Sequence, residues 1–71
     1  MKQQENNEPT IHDKYRKFIL QSKSNYLNGI EYSDVMEILR WCEKKINNQI
    51  PINVSCSTCV IDLIKMFANF E

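Results

Sequence analysis

The chain has 71 residues, 42% of them hydrophobic, with nine basic side chains balanced by nine acidic ones and a single Gly. That length allows one domain and leaves no room for separate substrate and cofactor domains. Zero net charge excludes a polybasic nucleic-acid tail and an acidic solvating tail.

Residues 1–9 contain no apolar side chain after Met1. They cannot add to a core and are expected to form a flexible arm, leaving 10–71 as a single three-helix domain. No apolar run follows Met1 as a secretory leader would require, and no uncharged stretch is apolar enough to span a membrane. Together with an odd number of cysteines, this points to a reducing, cytoplasmic setting with free thiols.

Thr10 is suited to cap a first helix, with Asp13 in the position that completes a capping box. Ile11, Tyr15, Phe18, Ile19, Ser22 and Tyr26 then share one face. Leu20 projects away from that stripe. Asn28-Gly29 is the expected stop, since both residues tolerate left-handed backbone. The second helix is predicted from Asp34 to Asn47, capped by Ser33. Asp34 and Glu37 lie in its first turn and Lys44 and Lys45 in its last, signs that suit the helix dipole. Its apolar face is Val35, Ile38, Leu39, Cys42 and Ile46, with Trp41 on the flank.

Between Gln49 and Val54 the branched residues Ile50, Ile52 and Val54 alternate with period two, and Pro51 turns Ile50 away from helix. The prediction is a packed, extended connection. Ser55 is the expected cap of a third helix, Cys56 to Phe70. Cys56, Cys59, Val60, Leu63, Phe67 and Phe70 form one face, and Ile61, Ile64 and Ala68 carry it around the side. A helix with so narrow a polar arc is either central in its fold or buried against another chain.

The fold class is therefore all-α: a compact three-helix domain with an extended segment before the last helix. A domain of this size buries only about 60% of the surface its unfolded chain exposes, so a staple, metal or partner is often needed. Leu20, Trp41, Ile61, Ile64 and Ala68 are the expected partner interface, because three helices do not obviously cover them.

The cysteines admit three readings. Cys56-Ser57-Thr58-Cys59 opens a helix, where thiol pKa values fall, but thioredoxin-like chemistry expects a βαβ context that this helical chain lacks. Cys42, Cys56, Cys59 and His12 could make a four-ligand zinc site, although the doubled C-x-x-C spacing is missing and His12, near a helix start, is expected to be solvated. Without metal or redox chemistry, all three cysteines are small core residues. Lys14, Arg16, Lys17 and Lys23 give the first helix a basic arc that could contact phosphates. A solvated helix face explains it as well. No glycine-rich phosphate loop and no nucleophile–base–acid grouping is present, so no catalytic residue and no cofactor is expected.

The run Ile50-Pro51-Ile52-Asn53-Val54-Ser55-Cys56-Ser57-Thr58-Cys59-Val60-Ile61-Asp62-Leu63 resembles a pattern in small proteins of phages that infect Bacteroidetes: an extended apolar segment, then C-x-x-C opening the last helix. The resemblance implies a phage or mobile-element accessory protein and carries no site residues. The function expected is a non-catalytic interaction protein that self-associates or docks on a larger protein. Occlusion of a host or defence enzyme, a zinc-stabilised module and a nucleic-acid binder are the alternatives.

Overall fold

The computed structural model describes residues 10–71; the flexible arm expected at 1–9 lies outside the described residues. The chain is all-α, with α1 Ile11–Lys14, α2 Arg16–Ser22, α3 Tyr32–Ile46 and α4 Ser57–Asn69. The first predicted helix is thus two. It breaks at Tyr15, whose φ of −109° and ψ of 21° lie outside the helical region. The Tyr15 N–H still donates to the carbonyls of Ile11 and His12, while the Phe18 and Ile19 N–H groups both donate to Tyr15 O, so the chain kinks and restarts at Tyr15.

Thr10 caps α1 as expected, accepting from the Asp13 N–H at 3.1 Å while Asp13 accepts from the Thr10 N–H. The stop of α2 comes earlier than Asn28-Gly29. Asn25 adopts φ of 56°, its N–H donates to Ser22 O, and the Tyr26 N–H reaches back to Gln21 O. This is the double bond of a Schellman end with Asn in the left-handed position. Tyr26, expected on the core face, consequently leaves the helix and is exposed. Asn47 closes α3 in the same way, with φ of 54° and the Asn48 N–H bonded to Glu43 O.

Two caps differ from expectation. α3 starts at Tyr32 with Glu31, not Ser33, as its N-cap residue, and Asp34 accepts from the Glu31 N–H at 3.1 Å. α4 is capped by Cys56, not Ser55: its sulfur accepts from the Cys59 N–H at 3.4 Å. Burial alternates along the connection as predicted, with Ile50, Ile52 and Val54 half-buried against the core and their neighbours exposed. The segment does not stay extended to its end: it turns at Val54-Ser55, where the Cys56 N–H donates to Asn53 O at 3.0 Å and leads into α4.

α4 is the centre of the fold, packing against both α2 and α3. Val60, Ile61, Leu63, Ile64 and Phe67 are all buried, as are Tyr15, Phe18 and Ile19 below them and Val35, Ile38, Leu39 and Cys42 on α3. The narrow polar arc of α4 is explained by burial from two sides within one chain. Ile61 and Ile64, expected at a partner interface, are interior residues, and Ile64 is 0% exposed. At the end of α3, Ile46 is exposed, because the apolar face outruns what α4 covers.

Candidate functional site

A groove of about 570 Å³ runs along α3 beside α1. Its floor is Ile11, Met36 and Trp41, with Tyr32 standing at one end. Glu37, Arg40 and Lys44 lie along it. The four-residue spacing of Tyr32, Met36, Arg40 and Lys44, with Ser33, Glu37 and Trp41 on the next ridge, puts all of these on one face of α3.

Trp41 is fixed by its neighbours. Its ring meets Phe67 edge-on at 5.2 Å, Phe70 at 5.8 Å and His12 at 4.9 Å, and Lys45 Nζ lies 5.2 Å from its centroid. His12 is not solvated as expected. It is 5% exposed, stacks on Phe67 at 4.1 Å and 11°, and its Nε2–H donates to Phe67 O at 2.7 Å. A carbonyl can only accept, so this bond fixes Nε2 as a protonated nitrogen. His12, Trp41, Phe67 and Phe70 therefore form one aromatic wall, of which Trp41 faces the groove.

The polar side of the groove is equally ordered. The buried Tyr15 hydroxyl donates to Glu37 Oε1 and lies 3.4 Å from Asp34, and Lys14 Nζ bonds the same Glu37 oxygen at 3.0 Å. Burial, then the Glu37 bond, raises the Tyr15 pKa, while the Tyr15 and Lys14 bonds hold the Glu37 carboxyl below its ordinary value. Glu37 is exposed, and both of these bonds fall on Oε1; among the described residues none is made to Oε2.

The other expected sites fare differently. The four candidate zinc ligands do not assemble. His12 sits at Phe67, eleven residues along α4 from Cys56, which is about 16 Å of helix. Its Nε2 is already committed, and Cys42 is buried at 0% exposure. Among the described residues no three His, Cys, Asp or Glu side chains are placed to hold a metal. The basic arc is largely spoken for: Lys14 pairs with Glu37, Arg16 pairs with Asp13 and, in a two-pronged contact, with Glu71, and Lys17 lies 5.0 Å over the Phe18 ring. Those bonds depress the Asp13 and Glu71 carboxyls. Lys23 is exposed beyond the end of α2. Of the expected interface residues, Leu20 is 56% exposed but does not line the groove, Trp41 does, and Ala68 is half-buried against the core.

Cys56 and Cys59 are half-exposed rather than part of the core, unlike Cys42, because Cys56 stands outside the helix as its cap. Tyr32 and Met36 are groove residues that the helical pattern did not single out; their spacing on α3 was the available signal. No described helix is long and apolar enough to cross a membrane. Comparison with protein families, curated proteins and solved structures finds no match.

Proposed function

We propose that the protein is a non-catalytic interaction protein that self-associates through the α3 groove, acting in a cytoplasmic or virion setting as a phage or mobile-element accessory. The observation that carries this reading is the charge order of the groove. Glu37 and Lys44 both line it, two helical turns apart, and they are equidistant from the point between Arg40 and Trp41. A two-fold axis through that point would set Glu37 of each copy against Lys44 of the other, and Arg40 of each over the other's Trp41. An isologous contact needs this kind of self-complementary patch. A guanidinium over an indole face adds attraction beyond the area it covers. The zero net charge of the chain places no long-range repulsion between copies.

The chain has one Trp, so indole emission reports the groove directly. On dilution from high to low concentration, the emission of the wild type should shift to the red as Trp41 becomes wetter. Emission that is independent of concentration, with a monomer by light scattering throughout, contradicts self-association. The alternative of docking on a different protein then remains as the competing account of the same groove.

A further inference from the structure

A second site lies at the opposite end of α4 from the aromatic wall. Cys56 caps the helix with φ of −97° and ψ of 116°, which swings its sulfur over the first turn. There it accepts from the Cys59 N–H at 3.4 Å and lies 3.2 Å from Thr58 Oγ1. Hydrogen bonding from Cys59, with Thr58 adding to the effect, lowers the Cys56 pKa to about 7, while Cys56 raises that of Cys59. Both residues are half-exposed. A trough of about 250 Å³ opens beside Cys59, floored by Ile50, Ile52, Leu63 and Met66. Cys42 is the internal contrast, since burial pushes its thiol up to about 11.

We propose that Cys56 and Cys59 form a stoichiometric thiol–disulfide exchange site whose substrate is a low-molecular-weight disulfide, the apolar trough taking the carbon body of that molecule. The spacing allows it. Cβ atoms three apart on a helix are about 5–6 Å from each other, and a disulfide needs about 3.5–4.5 Å. Cys56, being non-helical, is the residue whose rotation closes the difference. In the first step the Cys56 thiolate attacks one sulfur of R–S–S–R. The S–S bond breaks, a mixed disulfide forms on Cys56, and the first R–S⁻ leaves and takes a proton from water. In the second, Cys59 gives its proton to water and attacks the Cys56 sulfur, expelling the second R–S⁻. Two protein thiols are oxidised to one disulfide, and one small disulfide is reduced to two thiols. Closure removes the sulfur acceptor of the Cys59 N–H and so alters the first turn of α4.

A thiol of pKa about 7 is half ionised at pH 7, against about 3% for an unperturbed cysteine. Its lower intrinsic nucleophilicity offsets part of that gain, leaving a net rate advantage of about threefold. The test treats the full chain with 2-hydroxyethyl disulfide at pH 7 and follows intact mass and peptide maps. Wild type should lose two hydrogens, with the bond mapped to Cys56–Cys59 and Cys42 unmodified. Cys59→Ser should stop as a single adduct on Cys56. Cys56→Ser, which keeps a good capping residue, should react at Cys59 more slowly than Cys59→Ser reacts at Cys56, because Cys56 keeps its bonds from the Thr58 hydroxyl and the residue-59 N–H in that variant. Stable adducts that never close in the wild type, equal rates in the two variants, or modification of Cys42 first would each overturn the proposal.

Discussion

Ile64→Ala separates an interior position from a surface one. Ile64 has no exposed surface and sits on the central helix within the cluster that includes Phe18, Ile38 and Phe67. The substitution removes three carbons, about 2.4 kcal/mol at ~0.8 per buried carbon group. Incomplete collapse of the space left behind adds about 1–1.5 kcal/mol, so the loss should be about 3–4 kcal/mol. A domain of this length has a total stability of about 4–10 kcal/mol. The variant should therefore lose a third or more of it. The thermal midpoint should fall by about 12–32 °C, if the variant folds at all. Urea titration followed by far-ultraviolet circular dichroism measures the effect, with Leu20→Ala as the surface comparison, expected within about 0.5 kcal/mol of wild type. Losses of similar size for Ile64→Ala and Leu20→Ala would refute the central placement of α4.

Three further outcomes follow from the same geometry. Cys56→Ala should cost about 1 kcal/mol of stability through the lost cap, whereas Cys56→Ser should be close to neutral, as measured by thermal melts. His12→Phe keeps a ring against Phe67 but loses the bond to its carbonyl, which still accepts from the Phe70 N–H at 3.1 Å; denaturant titration should show a cost of about 1 kcal/mol. Asp13, Glu37 and Glu71 have depressed pKa values in the fold. Their stabilisation is present above the unfolded carboxyl values near pH 4 and is lost as pH falls through the lower folded values. The melting midpoint should therefore drop below about pH 4, and Glu37→Gln should flatten part of that fall. A midpoint that rises on acidification would reverse the sign of the argument.

The apolar faces of the helices were legible because spacing alone determines them. Tyr15, Phe18, Ile19 and Ser22 on the first segment, and Val35, Ile38, Leu39 and Cys42 on α3, are buried as their periodicity requires. The Thr10–Asp13 box and the alternating Ile50, Ile52 and Val54 were legible for the same local reason. What the sequence left open was set by competition between equally good local signals. Asn25 and Asn28-Gly29 can each end a helix, and the earlier one does, which carries Tyr26 off the core face. Glu31, Ser33, Ser55 and Cys56 can each accept at an N-terminus, and the register that buries α3 and α4 decides among them. The apolar excess of α4 pointed equally to a central helix or to a partner. Only the tertiary arrangement shows that α2 and α3 cover Ile61 and Ile64, leaving the groove with Trp41, and the exposed Leu20 away from it, as apolar surface. Neither the kink at Tyr15 nor the inward turn of His12 onto Phe67 has a local marker in the sequence.

Self-association through α3 is tested most directly by sedimentation velocity on wild type and Lys44→Glu across a concentration series at low and moderate salt. Lys44 is exposed and forms no ion pair among the described residues, so its replacement should leave the circular dichroism of the folded monomer unchanged at 25 °C, with a stability cost of about 0.3–1 kcal/mol from the acid in the last turn of α3. The wild type should form a dimer. The variant sets acid against Glu37 twice across the axis, and its dissociation constant should rise by about fivefold or more, an effect that weakens with salt. A wild type that stays monomeric at every concentration, or a variant that dimerises as tightly as wild type, would contradict the account.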